Sequence, residues 1–99
     1  MMLDSVTLTS FVDCLGTVFR LDAGEALSLE LTLIEAEATR FSSRTDSSPA
    51  FSLIFRGALQ PILPQQIYKF EHDRLGTQEM FIVPVGPDNQ GMRYQAIFT

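Results

Sequence analysis

The chain has 99 residues, 45% of them hydrophobic and 19% charged, which is typical of one globular domain over residues 1–99. Twelve acidic and seven basic residues give a formal charge of −5, and the basic residues are scattered, which argues against nucleic acid as a partner. The apolar runs are far shorter than the roughly 20 residues of a membrane-spanning helix, so membrane insertion is not expected.

A short amphipathic helix is the first predicted element, over residues 5–15. Its apolar residues have the spacing i, i+3, i+4 and i+7 that places them on one helix face. They are Leu8, Phe11, Val12 and Leu15. Gly16 follows them directly and favours the end of the helix.

Cys14 lies beside this apolar face and is the only cysteine of the chain. The only histidine, His72, is far away in sequence, so packing as a small hydrophobic residue is favoured over a nucleophilic role. A single cysteine excludes an intrachain disulfide, and a bridge between two copies is the less favoured alternative. Since the N-terminal segment also lacks a basic signal-peptide start, a reducing, cytoplasmic compartment is predicted.

Beyond Gly16 the periodicity changes to two, which predicts β-strands. About six are predicted, over residues 17–21, 27–36, 50–57, 67–72, 78–85 and 92–98. Leucines at every second position of the second strand indicate one buried face, as in an antiparallel sheet. The predicted fold is mainly β, with about six mostly antiparallel strands in a partly open barrel or a two-layer sheet and one short N-terminal helix.

Three connections between the strands are predicted as loops. Residues 40–49 are rich in Ser, with Asp and Pro and no periodicity, and are a place where a partner could bind. Pro61 and Pro64 make the next connection stiff, with Ile62 and Leu63 predicted to be exposed and available for docking. Residues 86–91 carry Gly, Pro, Asp and Asn, which favour a reversal of direction.

Glu71, His72 and Asp73 stand side by side and raise the question of a metal or acid–base site. Neighbouring side chains of a strand point to opposite faces, so the three groups do not converge, and His72 shares its face with Tyr68. One His and one Cys also lack the ligand number of a zinc site. The spacing from Asp73 to Gly76 favours a hairpin turn instead, with His72 packed near the rim. Neither a metal nor another cofactor is predicted.

Motifs of hydrolases and of nucleotide-binding loops are missing from the sequence, and an enzyme is therefore not predicted. Glu35 and Glu37 share a strand face, which fits an exposed acidic strand end better than a pair of catalytic carboxylates. The alternative to a non-enzymatic protein is a small-ligand-binding or enzymatic barrel with a pocket at its rim. The candidate residues for that pocket are Arg56, Tyr68, His72 and Tyr94.

Several segments resemble a family of small bacterial proteins known only as a domain of unknown function. They are FSLIFRG (51–57), LPQQIYKFEHDRLG (63–76), MFIVPVGPD (80–88) and GMRYQAIF (91–98), with VTLTSFVDCLGTVFRL (6–21) fitting more weakly. The resemblance implies a bacterial source, a β-rich domain and a loose association with phage-tail-collar-like fibre proteins, and it brings no catalytic residue. Gln66 and Ala58, where members often have Gly and Pro, imply a slightly different loop before residue 66.

The predicted outer strand faces add apolar side chains to those of the inner faces, and together they are more than one small sheet face can hide from water. The outward-facing ones are Ile34, Ile54, Phe81, Val83 and Ile97. Either another chain covers them or a closed barrel leaves a few aliphatic residues exposed, and the sequence favours neither. We predict that the protein is a non-enzymatic protein–protein interaction or assembly module of a bacterial, tail-like system. Its predicted partner is a second copy of the chain or another protein chain.

Overall fold

The computed structural model describes residues 8–22, 28–38, 51–60 and 62–98, which form one short helix and six strands. In chain order these are α1 (Leu8–Val12), β1 (Val18–Asp22), β2 (Ser28–Ala38), β3 (Phe51–Gly57), β4 (Gln66–His72), β5 (Gly76–Asp88) and β6 (Gly91–Phe98). The mainly β fold class with one short helix near the N-terminus is confirmed. The helix ends earlier than predicted because the chain tightens after Val12 into turns in which the Cys14 N–H donates to the carbonyl of Phe11, and residues 5–7 lie outside the described residues.

The six strands close into an antiparallel barrel in the order β1-β2-β3-β6-β5-β4. The closing contact is between β1 and β4, where Leu21 pairs with Phe70. Of the two predicted architectures, the two-layer sheet is therefore wrong and the barrel is correct, although it is closed rather than partly open. Closure gives each of the six described strands a neighbouring strand on both sides, so none of them is the edge strand of an open sheet.

The barrel interior is filled by the alternate, inward-facing residues of every strand. Phe19 is at its centre and is fully buried. Its ring lies 5.3 Å from that of Phe55 in an edge-to-face arrangement and 6.5 Å from that of Phe70. Aromatic pairs at these distances stabilise a core beyond the burial of their surface. Most polar residues of the same strands face out, whereas His72 of β4 is buried on the inner side.

The two ends of the barrel are closed by different segments. At the helix end, α1 inserts Phe11, whose ring is 6.3 Å from Phe19 and 5.9 Å from Phe51. The opposite end is crossed by residues 58–60 and 62–65, because β3 neighbours β6 and the chain must pass over the barrel to begin β4. We call it the crossing end.

The crossing segment corrects one prediction and extends another. Leu63 is 4% exposed and fills the crossing end, so its predicted exposure was wrong, whereas Ile62 is exposed as predicted. The sequence could not show this because Leu63 is buried by a path that depends on the strand order. The predicted loop over residues 40–49 and the position of Pro61 lie outside the described residues.

Two bulges change which residues face the solvent. The register shifts between Leu33 and Glu35, so that Glu35 pairs with Ile54 and faces out although Leu33 faces in. A second shift, between Pro84 and Gly86, lies within β5. This strand continues to Asp88, and the predicted loop over residues 86–91 is thereby reduced to a turn at residues 89–90.

Candidate functional site

The four residues of the predicted rim pocket lie in different places. Tyr68 and Tyr94 face the interior near the crossing end, where the Tyr68 hydroxyl donates to the Pro64 carbonyl at 2.8 Å and the Tyr94 hydroxyl accepts the Leu63 N–H at 3.0 Å. Burial, with Tyr94 nearby, raises the pKa of Tyr68 above its ordinary value of 10. Both hydroxyls therefore hold the crossing segment, and neither is presented to a ligand.

Arg56 lies on the outer face of β3 and binds Asp88 at the last position of β5. Its Nε donates to both carboxylate oxygens, at 3.2 and 3.0 Å, and its Nη2 donates to Oδ2 at 2.6 Å. The same carboxylate accepts the N–H groups of Gln90 and Gly91 in the turn to β6. The hydrogen bonds from Arg56 and from the Gln90 backbone lower the pKa of Asp88 from 3.8 to about 2.

The β5 bulge explains how Asp88 reaches Arg56. Met80 and Ile82 face the interior, and continued alternation would point Asp88 inward as well. The extra residue of the bulge, Val85, reverses this parity, and Gly86 adopts a φ of 112° that L side chains rarely adopt. The ion pair is therefore a product of the bulge, which the alternating pattern did not reveal.

His72 and Arg56 lie at opposite ends of the barrel. His72 pairs with Gly76, the first residue of β5, whereas Arg56 binds Asp88, the last residue of β5. His72 is 7% exposed, and its ring centroid is 4.3 Å from that of Phe19. Its Nδ1 accepts the N–H groups of Arg74 and Leu75, and its Nε2 is 2.9 Å from Thr17 Oγ1. His72 is packed near the rim, as predicted, and both of its ring nitrogens have a partner.

The neighbours of His72 do not join it in a site. Glu71 is exposed on the outer face of β4, and Asp73 is in the turn, 3.4 Å from Arg20 in an exposed ion pair. The predicted turn is present, with Gly76 at a φ of 74°. Within the described part of the chain, no three His, Cys, Asp or Glu residues are placed to share a metal ion. Cys14 is buried and contributes to the core cluster, as predicted.

A small cleft at the crossing end has a volume of about 90 Å³. Its lining is largely apolar and includes Leu29, Leu31, Leu63 and Tyr94. Pockets for small ligands are usually about 300–1,000 Å³. This cleft is therefore smaller than a usual pocket for a small ligand.

The feature that distinguishes the surface is an apolar patch on the outer side of β4, β5 and β6. It consists of Ile67, Phe81 and Ile97, which are 62%, 49% and 57% exposed, and we call it the apolar wall. Ile67 pairs directly with Phe81. Ile97 follows Ala96, the partner of Ile82, so it lies beside Phe81 on the same face. Three neighbouring strands thus contribute one apolar side chain each to a continuous strip.

The surroundings of the apolar wall are mixed in charge. Lys69 and Glu79 form a cross-strand pair on one side of it, two residues beyond Ile67 and Phe81 respectively. Ser52, the partner of Ile97, lies at its end. The strip itself contains no charged side chain. Its chemistry is that of a contact surface, apolar in the middle and polar at the rim.

The sequence predicted part of this wall. Phe81 and Ile97 face outward and are exposed, whereas Ile34, Ile54 and Val83 are only half-buried. Ile67 was missing from the predicted apolar set, although its alternation with Lys69 and Glu71 already placed it on the outer face. The signal was present, but the pairing of Ile67 with Phe81 required the register of two strands.

The other exposed apolar residues are Val85, the bulge residue of β5, and two groups near the barrel ends. Val12, Leu15 and Val18 are about equally exposed, at 42–43%, and lie around the helix end. Leu59 and Ile62 lie on the crossing segment. Neither group is arranged across neighbouring strands as the apolar wall is.

Comparison with known proteins places the chain in a protein family. The model of the family described as a domain of unknown function, DUF6916, matches residues 6–98. No curated protein and no solved structure matches the chain. Within the described ranges, α1 is the only helix, and it is too short to cross a membrane.

Proposed function

The chain belongs to the DUF6916 family of domains of unknown function, and we propose that it is a non-enzymatic protein–protein interaction module. The observation that carries the proposal is the apolar wall, formed by Ile67, Phe81 and Ile97 across three strands. We propose that this wall binds the same wall of a second copy of the chain. Apolar patches that are shared by neighbouring elements and bounded by polar residues are typical of protein interfaces.

The closed barrel supports a contact through side chains. A partner strand would need the edge of an open sheet, and each of the six described strands already has a neighbouring strand on both sides. Two copies of the apolar wall can meet without placing like charges opposite each other, because the strip carries none. Lys69 and Glu79 at its side give each copy both signs of charge for the rim.

The proposal is tested by sedimentation velocity over a range of protein concentrations. The test variant is Ile67→Thr with Ile97→Thr, which keeps β-branched side chains on the strands and makes the wall polar. The matched control is Val18→Thr with Ile62→Thr, which removes two exposed apolar residues outside the wall. We expect the natural chain and the control to associate as concentration rises, and the wall variant to remain monomeric.

Two results would contradict the proposal. One is a natural chain that remains monomeric up to about 1 mM, where a contact of only about −4 kcal/mol is already half-formed. The other is association that the wall variant does not reduce relative to the control. In that case the contact would lie elsewhere on the surface.

The biological setting is a further part of the proposal. Repeated copies of a small β domain are what a tail-like bacterial assembly requires, and this setting rests on the sequence resemblance. We also propose a cytoplasmic location, which the buried, unpaired Cys14 supports because structural disulfides are rare in that compartment.

A further inference from the structure

His72 connects two regions that are distant in sequence. Through Nδ1 it holds the turn between β4 and β5, accepting the N–H groups of Arg74 at 3.0 Å and Leu75 at 3.3 Å. Through Nε2 it reaches Thr17, whose hydroxyl donates to the Cys14 carbonyl at 2.6 Å. The ring thereby joins the hairpin to the segment that leads from α1 into β1.

These contacts require one form of the imidazole ring. Because Nδ1 accepts two N–H groups, the neutral ring carries its hydrogen on Nε2, which donates to Thr17 Oγ1. A proton added to Nδ1 would face the N–H groups of Arg74 and Leu75, and all three are donors. The ring is 7% exposed and packed on Phe19, so it must leave its position to hydrate the new N–H.

We propose that His72 is an acid-sensitive switch: uptake of a solvent proton at Nδ1 opens the β4–β5 turn and releases α1 from the helix end of the barrel. The remaining contact, from Nε2 to Thr17, is lost when the ring moves out. The segment between α1 and β1 then loses its side-chain hydrogen bond to the β4–β5 hairpin. The turn at the crossing end, residues 89–90, is held by the carboxylate of Asp88, which stays charged between pH 5 and pH 7. Only the helix end of the barrel therefore responds to this change in pH.

The surroundings of His72 favour the neutral imidazole in the folded state. Burial lowers the pKa of the imidazole below its ordinary 6.5, Asp73 of the turn opposes this, and Arg74 of the turn and Arg20 of β1 add to it. The segment Leu8–Val12 packed at this end carries no charged side chain. The neutral ring is thus the form that the folded state prefers, and the protonated ring is the form that the open state prefers.

Release of α1 is the expected result because this helix has little stability of its own. It has five residues, far fewer than a helix needs to persist in water. Its anchor is Phe11, which is fully buried against Phe19 and Phe51. Opening of the segment between α1 and β1 would therefore expose the aromatic residues at the helix end while the strand pairs of β3 and β6 remain.

The test uses NMR on the full natural chain between pH 7 and pH 5. The chain has one histidine, so its imidazole signals are unambiguous and report the Nε2–H tautomer and the titration of His72 directly. Amide hydrogen exchange, corrected for the intrinsic effect of pH, is followed at Asp13 and Cys14 after α1 and at Leu75 in the turn. Amides of the β3–β6 pair Phe55 and Tyr94 are the internal reference.

We expect the protection of the α1 and turn amides to fall by up to tenfold per pH unit below about pH 6.5, because the open state then binds one proton more than the closed state. The protection of the β3–β6 amides should not fall with it. The variant His72→Gln offers an amide oxygen to the turn and does not titrate, so its α1 protection should be independent of pH over this range.

Three results would overturn the proposal. They are unchanged protection at α1 in the natural chain, parallel loss of protection at α1 and at the β3–β6 pair, and an equal pH dependence in His72→Gln. The first two need only the natural chain, so they decide the question even where the variant folds poorly.

Discussion

The outer surface of the barrel has two walls of opposite character. Along β1 and β2 the outward residues include Arg20, Asp22, Ser28 and Glu30, with Arg20 opposite Glu30, and we call this the polar wall. Along β4, β5 and β6 the corresponding positions include the apolar wall. The inner faces of both regions are largely apolar and buried, with His72 of β4 as a buried polar residue. We therefore expect folding to depend mainly on the inner residues, and we propose that the apolar outer residues serve a contact surface.

This contrast has a physical basis. An inward residue gains free energy by leaving water when the barrel forms, whereas an outward residue stays largely in water in the folded state. A polar β-branched residue is sufficient to favour strand structure at an outward position, and Thr32 at the edge of the polar wall is an example. Exposed Ile67, Phe81 and Ile97 gain comparable free energy only if a second surface covers them. Substitutions on the inner and outer faces should therefore separate stability from association.

The largest expected effect is the difference between two phenylalanines on opposite faces. Phe19→Ala removes a fully buried ring at the centre of the core and should lower the free energy of unfolding by about 3–5 kcal/mol. Phe81→Ala, on the apolar wall, should lower it by less than about 1 kcal/mol in the monomer. Denaturant unfolding at low protein concentration measures both. Equal losses in the two variants would show that Phe81 stabilises the fold as much as Phe19 does, and would contradict the distinction between the inner and outer faces.

A second prediction concerns His72, which faces inward at the helix end. His72→Phe keeps a ring against Phe19 but removes the acceptor for two N–H groups and the contact with Thr17, and should cost about 1–3 kcal/mol at pH 7.5. Thr17→Ser retains the hydroxyl and is the matched control, with a loss below about 1 kcal/mol. Thermal or denaturant unfolding of both variants checks this. A His72→Phe variant as stable as the natural chain would show that the turn finds other partners.

The third prediction tests the charged part of the outer surface. The pKa of Asp88 is lowered from 3.8 to about 2, so its contribution to stability is complete above about pH 4 and is lost as the pH falls toward 2. Asp88→Asn keeps an oxygen for the turn but cannot titrate. The stability of this variant, measured by urea unfolding, should fall less steeply between pH 4 and pH 2 than that of the natural chain. Parallel curves would contradict the role assigned to the ion pair with Arg56.

The smallest expected effect on stability comes from the apolar wall itself. Ile97→Thr should change the free energy of unfolding of the monomer by no more than about 0.5 kcal/mol, because the side chain is 57% exposed and remains β-branched. Its effect should appear in association instead. Unfolding curves at low and high protein concentration separate the two, since self-association stabilises the natural chain only at high concentration. A variant that still gained stability with concentration as the natural chain does would exclude Ile97 from the contact.

Much of the fold was predictable because alternation is a local property. The six strands, the inward set of Tyr68, Phe70 and His72 and the turn ending at Gly76 all followed from residue order. Closure of the barrel did not, since it depends on twist and on the pairing of β1 with β4, which are far apart in sequence. The burial of Leu63 likewise follows from the crossing path, and no short-range pattern indicates it.

The candidate site was predictable only in part, for a related reason. Each bulge adds one residue and reverses the parity of the remainder of its strand, so Asp88 faces Arg56 only after Val85 has been inserted. The apolar wall depends on the register that sets Ile67 against Phe81. Composition indicated an apolar excess, and only the pairing of the strands showed where it is concentrated.

The central claim, that the apolar wall is the contact surface, is tested most directly by the accessibility of its side chains. A soluble paramagnetic agent relaxes exposed methyl groups, and its effect on Ile67 and Ile97 can be compared with that on Val18 and Ile62 at low and high protein concentration. We expect Ile67 and Ile97 to become protected as the protein concentration rises, and Val18 and Ile62 to stay accessible. Unchanged accessibility at the wall, or protection that appears first at Val18 and Ile62, would contradict it.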